Sequence, residues 1–268
     1  MLPCHCVQKY FREIDPEGTA TRKSQCFERR KCFVPGPNFC WHVDGYDKLK
    51  PYGFCIHGCI DRFSRKIIWL KVLLANNNPL VIGHLYMDAV GAFGGCPQKI
   101  RSDCGTENHL ASIQCCLMNT VDAHIYGTSP HNQRIKAWWS TLRKRVTTLW
   151  MKIFKDLIEQ NTYTPVNVLQ HECLWHCFTP LLELELDKFK NHWNTHYIRK
   201  SRHDTVSGRP NVIFNFPELH GTQNYLKEVD LWQCDYIEQN HFPPEEQERI
   251  THQEYFHYLK TELAIACL

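Results

Sequence analysis

From residue 39 the apolar positions fall into three short runs, Phe39 to Asp44, Phe54 to Ile60 and Lys66 to Leu74. Aromatic and branched side chains fill them, and Gly, Pro, Asp and Ser separate them, the pattern of consecutive strands. The connection Asp61-Arg62-Phe63-Ser64 is short enough to force the second and third strands antiparallel. The period then changes: behind Asn78-Pro79, residues Val81, Ile82, Leu85, Tyr86, Ala89 and Phe93 recur at helical spacing, and Gly94-Gly95 close the segment. The same start, a capping residue with proline at the first helical position, returns at Ser129-Pro130, Thr164-Pro165 and Thr179-Pro180. It predicts a helix after each, the last two over 164–177 and 179–197. A strand over 98–102 ends at Asp103, and Leu110, Ile113 and Leu117 suggest a helix beyond it.

Strand, strand, strand, helix, strand, helix describes an α/β fold, a mixed sheet covered by helices. Residues 201–242 carry Gly208, Pro210 and Pro217 and read as loop-rich, and 243–268 suggests one more helix. The expected organisation is a basic, Cys-containing arm or truncated remnant over 1–37 without sustained period, a core over 38–160 and a helical C-terminal extension over 161–268.

With 43% hydrophobic residues the chain is rich enough to fold around a core, which excludes disorder. A net charge of +3 is too mild to identify a nucleic-acid binder, so clustering must decide. Fifteen cysteines are an odd number, and the first six residues lack a charged segment followed by an apolar one. Reduced thiols in an intracellular compartment are therefore expected. Asn76, Asn77 and Asn78 interrupt the longest uncharged run, so it cannot span a bilayer.

Asp44 ends the first strand and Asp103 follows the fourth. Strand ends are where open mixed sheets build sites, and two-metal phosphodiester chemistry needs about three carboxylates converging there. Both aspartates also precede or approach glycine, as turn residues do. In order and spacing, Trp41 to Gly45, Ile60 to Arg65, Arg101 to Asn108 and Ser129 to Ile135 resemble the retroviral-type integrase core, the DDE group of ribonuclease H-like polynucleotidyl transferases. Asp44 to Lys50 and His192 to His196 are similar to animal integrase catalytic domain-containing proteins derived from mobile elements. The resemblance runs from about residue 36 to 217.

It implies a ribonuclease H-like, five-stranded mixed sheet flanked by helices, with Asp44 and Asp103 as catalytic, metal-binding aspartates for Mg2+ or Mn2+. The third catalytic position, a glutamate in the family, is Lys136 here. An ammonium cannot ligate a metal, so the polynucleotidyl transferase of DNA integration is expected to be impaired. Independently, Ile135, Trp138, Trp139, Leu142, Val146, Leu149 and Trp150 form an apolar helical stripe. Lys136 lies on its flank with Asn132, Arg143 and Thr147, the edge facing the rim of the sheet. A lysine there also fits a plain solvated side chain. Glu107 is the candidate substitute ligand, with Asp47 and Asp61 weaker; Asp61 fits the turn before Ser64-Arg65 better.

Asn132, Arg134, Lys136, Arg143, Lys144 and Arg145 form the candidate nucleic-acid surface, with Lys152 and Lys155 beyond and a second cluster at Arg199 to His203. The run His171-x-Cys173-x-x-His176-Cys177 has metal-type residues, but inside a helix its cysteines read as core. Three functions remain: a DNA-binding module without catalysis, located in the nucleus by virtue of its partner; an active transferase or nuclease completed by Glu107; and an interaction scaffold that dimerises partly through Trp138, Trp139 and Trp150.

Overall fold

A computed structural model describes residues 4–19, 34–103, 108–127, 133–200 and 206–242. The chain divides into two compact units, 1–33 and 34–268. In the first, helix α1 (Cys4–Ile14) forms where no sustained period was expected. Val7, Tyr10, Phe11 and Ile14 do stand at helical spacing; the surrounding cysteines and charges masked it.

In the second unit β1 (Cys40–Tyr46), β2 (Cys55–Asp61) and β3 (Ile67–Leu73) form an antiparallel meander. β4 (Lys99–Asp103) and β5 (His124–Gly127) join parallel to β1 and to each other, giving the order β3-β2-β1-β4-β5. Parallel neighbours need crossovers, and α2 (Pro79–Phe93) and α3 (Asn108–Met118) provide them. As expected, Asn78 caps α2, its side chain accepting from Leu80 and Val81 N–H, and Gly94 ends it in the left-handed conformation. β1 runs two residues further than expected, so Asp44 lies inside the strand rather than at its end.

Strand alternation divides the side chains between two cores. Trp41 and Val43 face one side with Ile100, Ile82, Tyr86 and Leu110 from β4, α2 and α3. Tyr46 faces the other, where Ile56, Leu70 and Val72 meet α4 (Gln133–Leu142), a π-helical turn (Arg143–Thr147), α5 (Thr148–Glu159) and α6 (Val168–Thr195). The apolar stripe of α4 and α5 is buried except at Leu149, which is 57% exposed. The π turn widens the helix, so Trp150 takes the inward position that continuous α geometry would have given Leu149. Trp138, Trp139 and Trp150 are buried within the chain, which removes the expected tryptophan dimer face.

The two helices expected over 164–177 and 179–197 are one, capped by Asn167 rather than Thr164 and continuing through Pro180. Pro180 is on the exposed face, where water can hydrate the carbonyl it leaves unbonded, while buried Leu174, Leu182 and Leu186 hold the other face. Residues 206–242, expected to be loop-rich, contain α7 (Pro210–Asn215) and α8 (Leu231–His241); Pro210 is the first residue of α7 rather than a breaker. The helix starts expected at Ser129-Pro130 and over 243–268 lie outside the described residues.

Candidate functional site

The last paired positions of β1 and β4 are His42 and Arg101. Two residues further along each strand stand Asp44 and Asp103, so the parallel register sets them side by side with their side chains on one face. That face is covered by α4, which delivers two nitrogen donors three residues apart on its own inner side. Trp139 Nε1 donates to Asp44 Oδ2 at 2.9 Å, and Lys136 Nζ donates to Asp103 Oδ2 at 2.7 Å.

Packing explains the first contact. Asp44 lies opposite Gly58 on β2, and a Cβ on Gly58 would stand 2.8 Å from Trp139 Cη2. The missing side chain lets the indole lie against the strand and point its N–H at a carboxylate that is 9% exposed. The second contact is at the rim: the Lys136 and Asp103 side chains are 32% and 33% exposed. Asp103 Oδ1 is buried and finds no hydrogen-bond partner among the described residues.

Around the two aspartates, burial pushes the His57 imidazole down to about 4, with the Asp44 charge opposing, so it is neutral at pH 7. Trp69 Nε1 donates to His57 Nδ1 at 3.0 Å. Burial raises the Tyr46 phenol, and the Thr147 hydroxyl and the Arg143 charge partly offset it. Tyr46 and Thr147 share a 2.8 Å hydrogen bond. Arg143 is therefore within electrostatic reach of this corner, and with Lys144 and Arg145 it is exposed.

Other sequence candidates fall elsewhere. Asp61 is buried near the opposite end of the pairing, facing Trp41, where it accepts from Ser64 N at 2.7 Å, Ser64 Oγ at 2.6 Å and Asn38 N at 2.9 Å; its turn role holds. Asp47 accepts from Asn76 Nδ2 and pairs with Lys50 at 3.5 Å on the surface. Glu107, Asn132 and the Arg134 side chain lie outside the described residues. Cys173 and Cys177 are exposed, which overturns their reading as core residues; Leu174 takes the inward position between them, and His171 Nδ1 bonds the Tyr163 hydroxyl at 3.1 Å. The sequence reading missed Trp139 as the partner of Asp44, although its position three residues after Lys136 was a usable signal.

Among the described residues, Asp44, Asp103 and Lys136 do not make up a two-metal centre. Each aspartate already gives one oxygen to a nitrogen donor, and the Lys136 ammonium beside them offers no lone pair. Among the described residues no group of three His, Cys, Asp or Glu side chains converges. What the corner offers instead is an internal ion pair beside a surface of exposed cations.

A family profile described as integrase core domain matches residues 32–218. Similar solved structures include the HTLV-2 integrase catalytic core domain in complex with magnesium. Its trimeric form is 13% identical and covers 67% of this chain and 98% of its own, with a TM-score of 0.39. Its dimeric form is 17% identical and covers 68% and 98%, with a TM-score of 0.36. The simian T-cell lymphotropic virus intasome in complex with PP2A regulatory subunit B56 gamma is 14% identical over 74% of this chain and 64% of that one, with a TM-score of 0.34. No curated protein matches. The profile spans well over half of the sequence, including the whole five-stranded sheet, and the chain belongs to the integrase core domain family.

Proposed function

We propose that this integrase-core protein binds nucleic acid and has lost polynucleotidyl transferase activity. The observation that carries the reading is the 2.7 Å contact between Lys136 Nζ and Asp103 Oδ2 at the position where the family has a glutamate. The ammonium neutralises the carboxylate that would hold a cation. It also repels one: two unit charges 4 Å apart cost roughly 4 kcal/mol at an effective dielectric of 20, and a divalent ion about twice that.

The same charge favours phosphate. Lys136 and the exposed Arg143, Lys144 and Arg145 follow one another along α4 and the π turn, and local cation density of this kind drives phosphate binding through counterion release. On this reading residues 38–160 form the core, 1–37 a basic arm and 161–268 a helical extension, and the nucleus is the compartment the partner implies. No helix among the described residues is long and apolar enough to cross a membrane. One observation favours a second reading, an active enzyme completed by Glu107: the buried, unpartnered Asp103 Oδ1.

Incubating the protein with labelled DNA and Mg2+ or Mn2+, beside a salt titration of binding, separates the two. The first reading expects no nicking and affinity that falls steeply with salt. Metal-dependent nicking abolished by Asp44→Asn would replace it with the second.

A further inference from the structure

The outward face of α6 is built unlike the solvated face of a surface helix. Val166, just before the helix, and Leu169, Leu181 and Leu184 on it are 89%, 68%, 52% and 53% exposed. Cys173 and Cys177 are exposed between them. Pro180 and His176 fill the same strip, Glu172 and Glu183 border it, and Asp187, paired with Lys190 at 2.7 Å, is the first charged side chain on it. The inner face is meanwhile occupied by buried Leu174, Leu182 and Leu186. Residues four apart on a helix share a face, so the two thiols stand together in the middle of an apolar stripe.

The spacing of the stripe is palindromic. The steps through positions 166, 169, 173, 177, 181 and 184 are three, four, four, four and three residues. An antiparallel two-fold pairing therefore sets each position against its equivalent: Cys173 against Cys177 of the partner subunit, Leu169 against Leu181 of the partner subunit, and Val166 against Leu184 of the partner subunit. This is the self-complementarity that an isologous interface requires. It gathers four thiols at the axis, flanked on both sides by apolar contacts.

We propose that Cys173 and Cys177 are one half of a Cys4 zinc site that a second copy of this chain completes across this axis. Two thiolates at i and i+4 chelate one side of a tetrahedral ion, as paired ligands at that spacing do in helical zinc motifs, with Zn–S bonds of about 2.3 Å. Each chain alone is incomplete, since no third ligand joins the pair among the described residues. Binding takes up one Zn2+, converts four thiols to thiolates and releases four protons. One helix face per subunit is at the small end of stable interfaces, so the metal and the apolar contact are expected to depend on each other.

The test is light scattering and metal analysis on the full chain, kept reduced with a phosphine and titrated with zinc sulfate. Zinc is expected to convert monomer to dimer with one more zinc per two chains than Cys173→Ser binds, and chelator is expected to reverse it. Cys173→Ser and Cys177→Ser, both at exposed positions, are expected to abolish the dimer and the extra zinc together. Cys116→Ser, an exposed thiol on α3, is expected to change neither. Cobalt in place of zinc is expected to give the intense thiolate charge-transfer absorption of a tetrahedral sulfur site only in the dimer. A dimer that forms without zinc, zinc bound at these cysteines by the monomer, or a dimer held only by disulfides would each overturn the proposal.

Discussion

Lys136 and Asp103 meet at a rim where both side chains are about one-third exposed, so their pairing contributes modestly to stability, about 0.5–1 kcal/mol. Lys136→Ala is expected to lower stability in urea denaturation by no more than that, and to reduce DNA affinity and the slope of its salt dependence by about one counterion. Trp139 and Asp44 behave differently. Trp139→Phe would strip a donor from a carboxylate that is 9% exposed, at a cost of about 1–3 kcal/mol. The same denaturation series is expected to show the tryptophan variant falling further than the lysine one. The two aspartates and the lysine were legible from motif order, and the turn role of Asp61 from its place before Ser64. The Trp139 bond was not legible, because an apolar stripe counts tryptophan as core and overlooks its N–H.

The segment from α4 to α5 is one helix interrupted by a π turn that serves two purposes: it spreads Arg143, Lys144 and Arg145 over the surface, and it brings Trp150 inward in place of Leu149. No periodicity argument sees a π turn, since a fixed 100° per residue assumes it away. Thr179-Pro180 misled for a related reason. The cap-and-proline signal describes local preference, whereas α6 runs on because buried leucines on both sides of Pro180 hold it against the sheet. β2 contributes the space rather than a ligand. Gly58→Ala is expected to push the Trp139 ring off the strand, weaken its bond to Asp44 and cost about 1–3 kcal/mol, read by denaturation together with a change in tryptophan fluorescence.

Across the whole molecule, buried titratable groups make stability depend on acidity in a defined direction. Burial depresses His57 and His124 to about 4, so the unfolded chain takes up their protons first and the stability they contribute above about pH 6.5 is lost as pH falls through 4. Burial raises Asp61 to about 6, which acts oppositely: its protonated form favours the fold at low pH, and that advantage disappears as pH rises through 6. Two histidines outweigh one aspartate, so stability is expected to rise with pH between about 4.5 and 6 with a net slope of roughly 1.4 kcal/mol per pH unit, measurable by urea unfolding across that range. Charge at the same scale is modest overall and locally dense, which is why composition alone could not identify a partner. The α/β class and the antiparallel start of the sheet were readable from strand spacing; α7 and α8 were hidden by a proline that begins a helix and by sparse apolar positions. A calorimetric Mn2+ titration of the wild type beside Lys136→Glu tests whether Lys136 occupies the place of a metal-binding carboxylate. Tight binding is expected in Lys136→Glu alone; equal binding by the wild type, destroyed by Asp103→Asn, would contradict it.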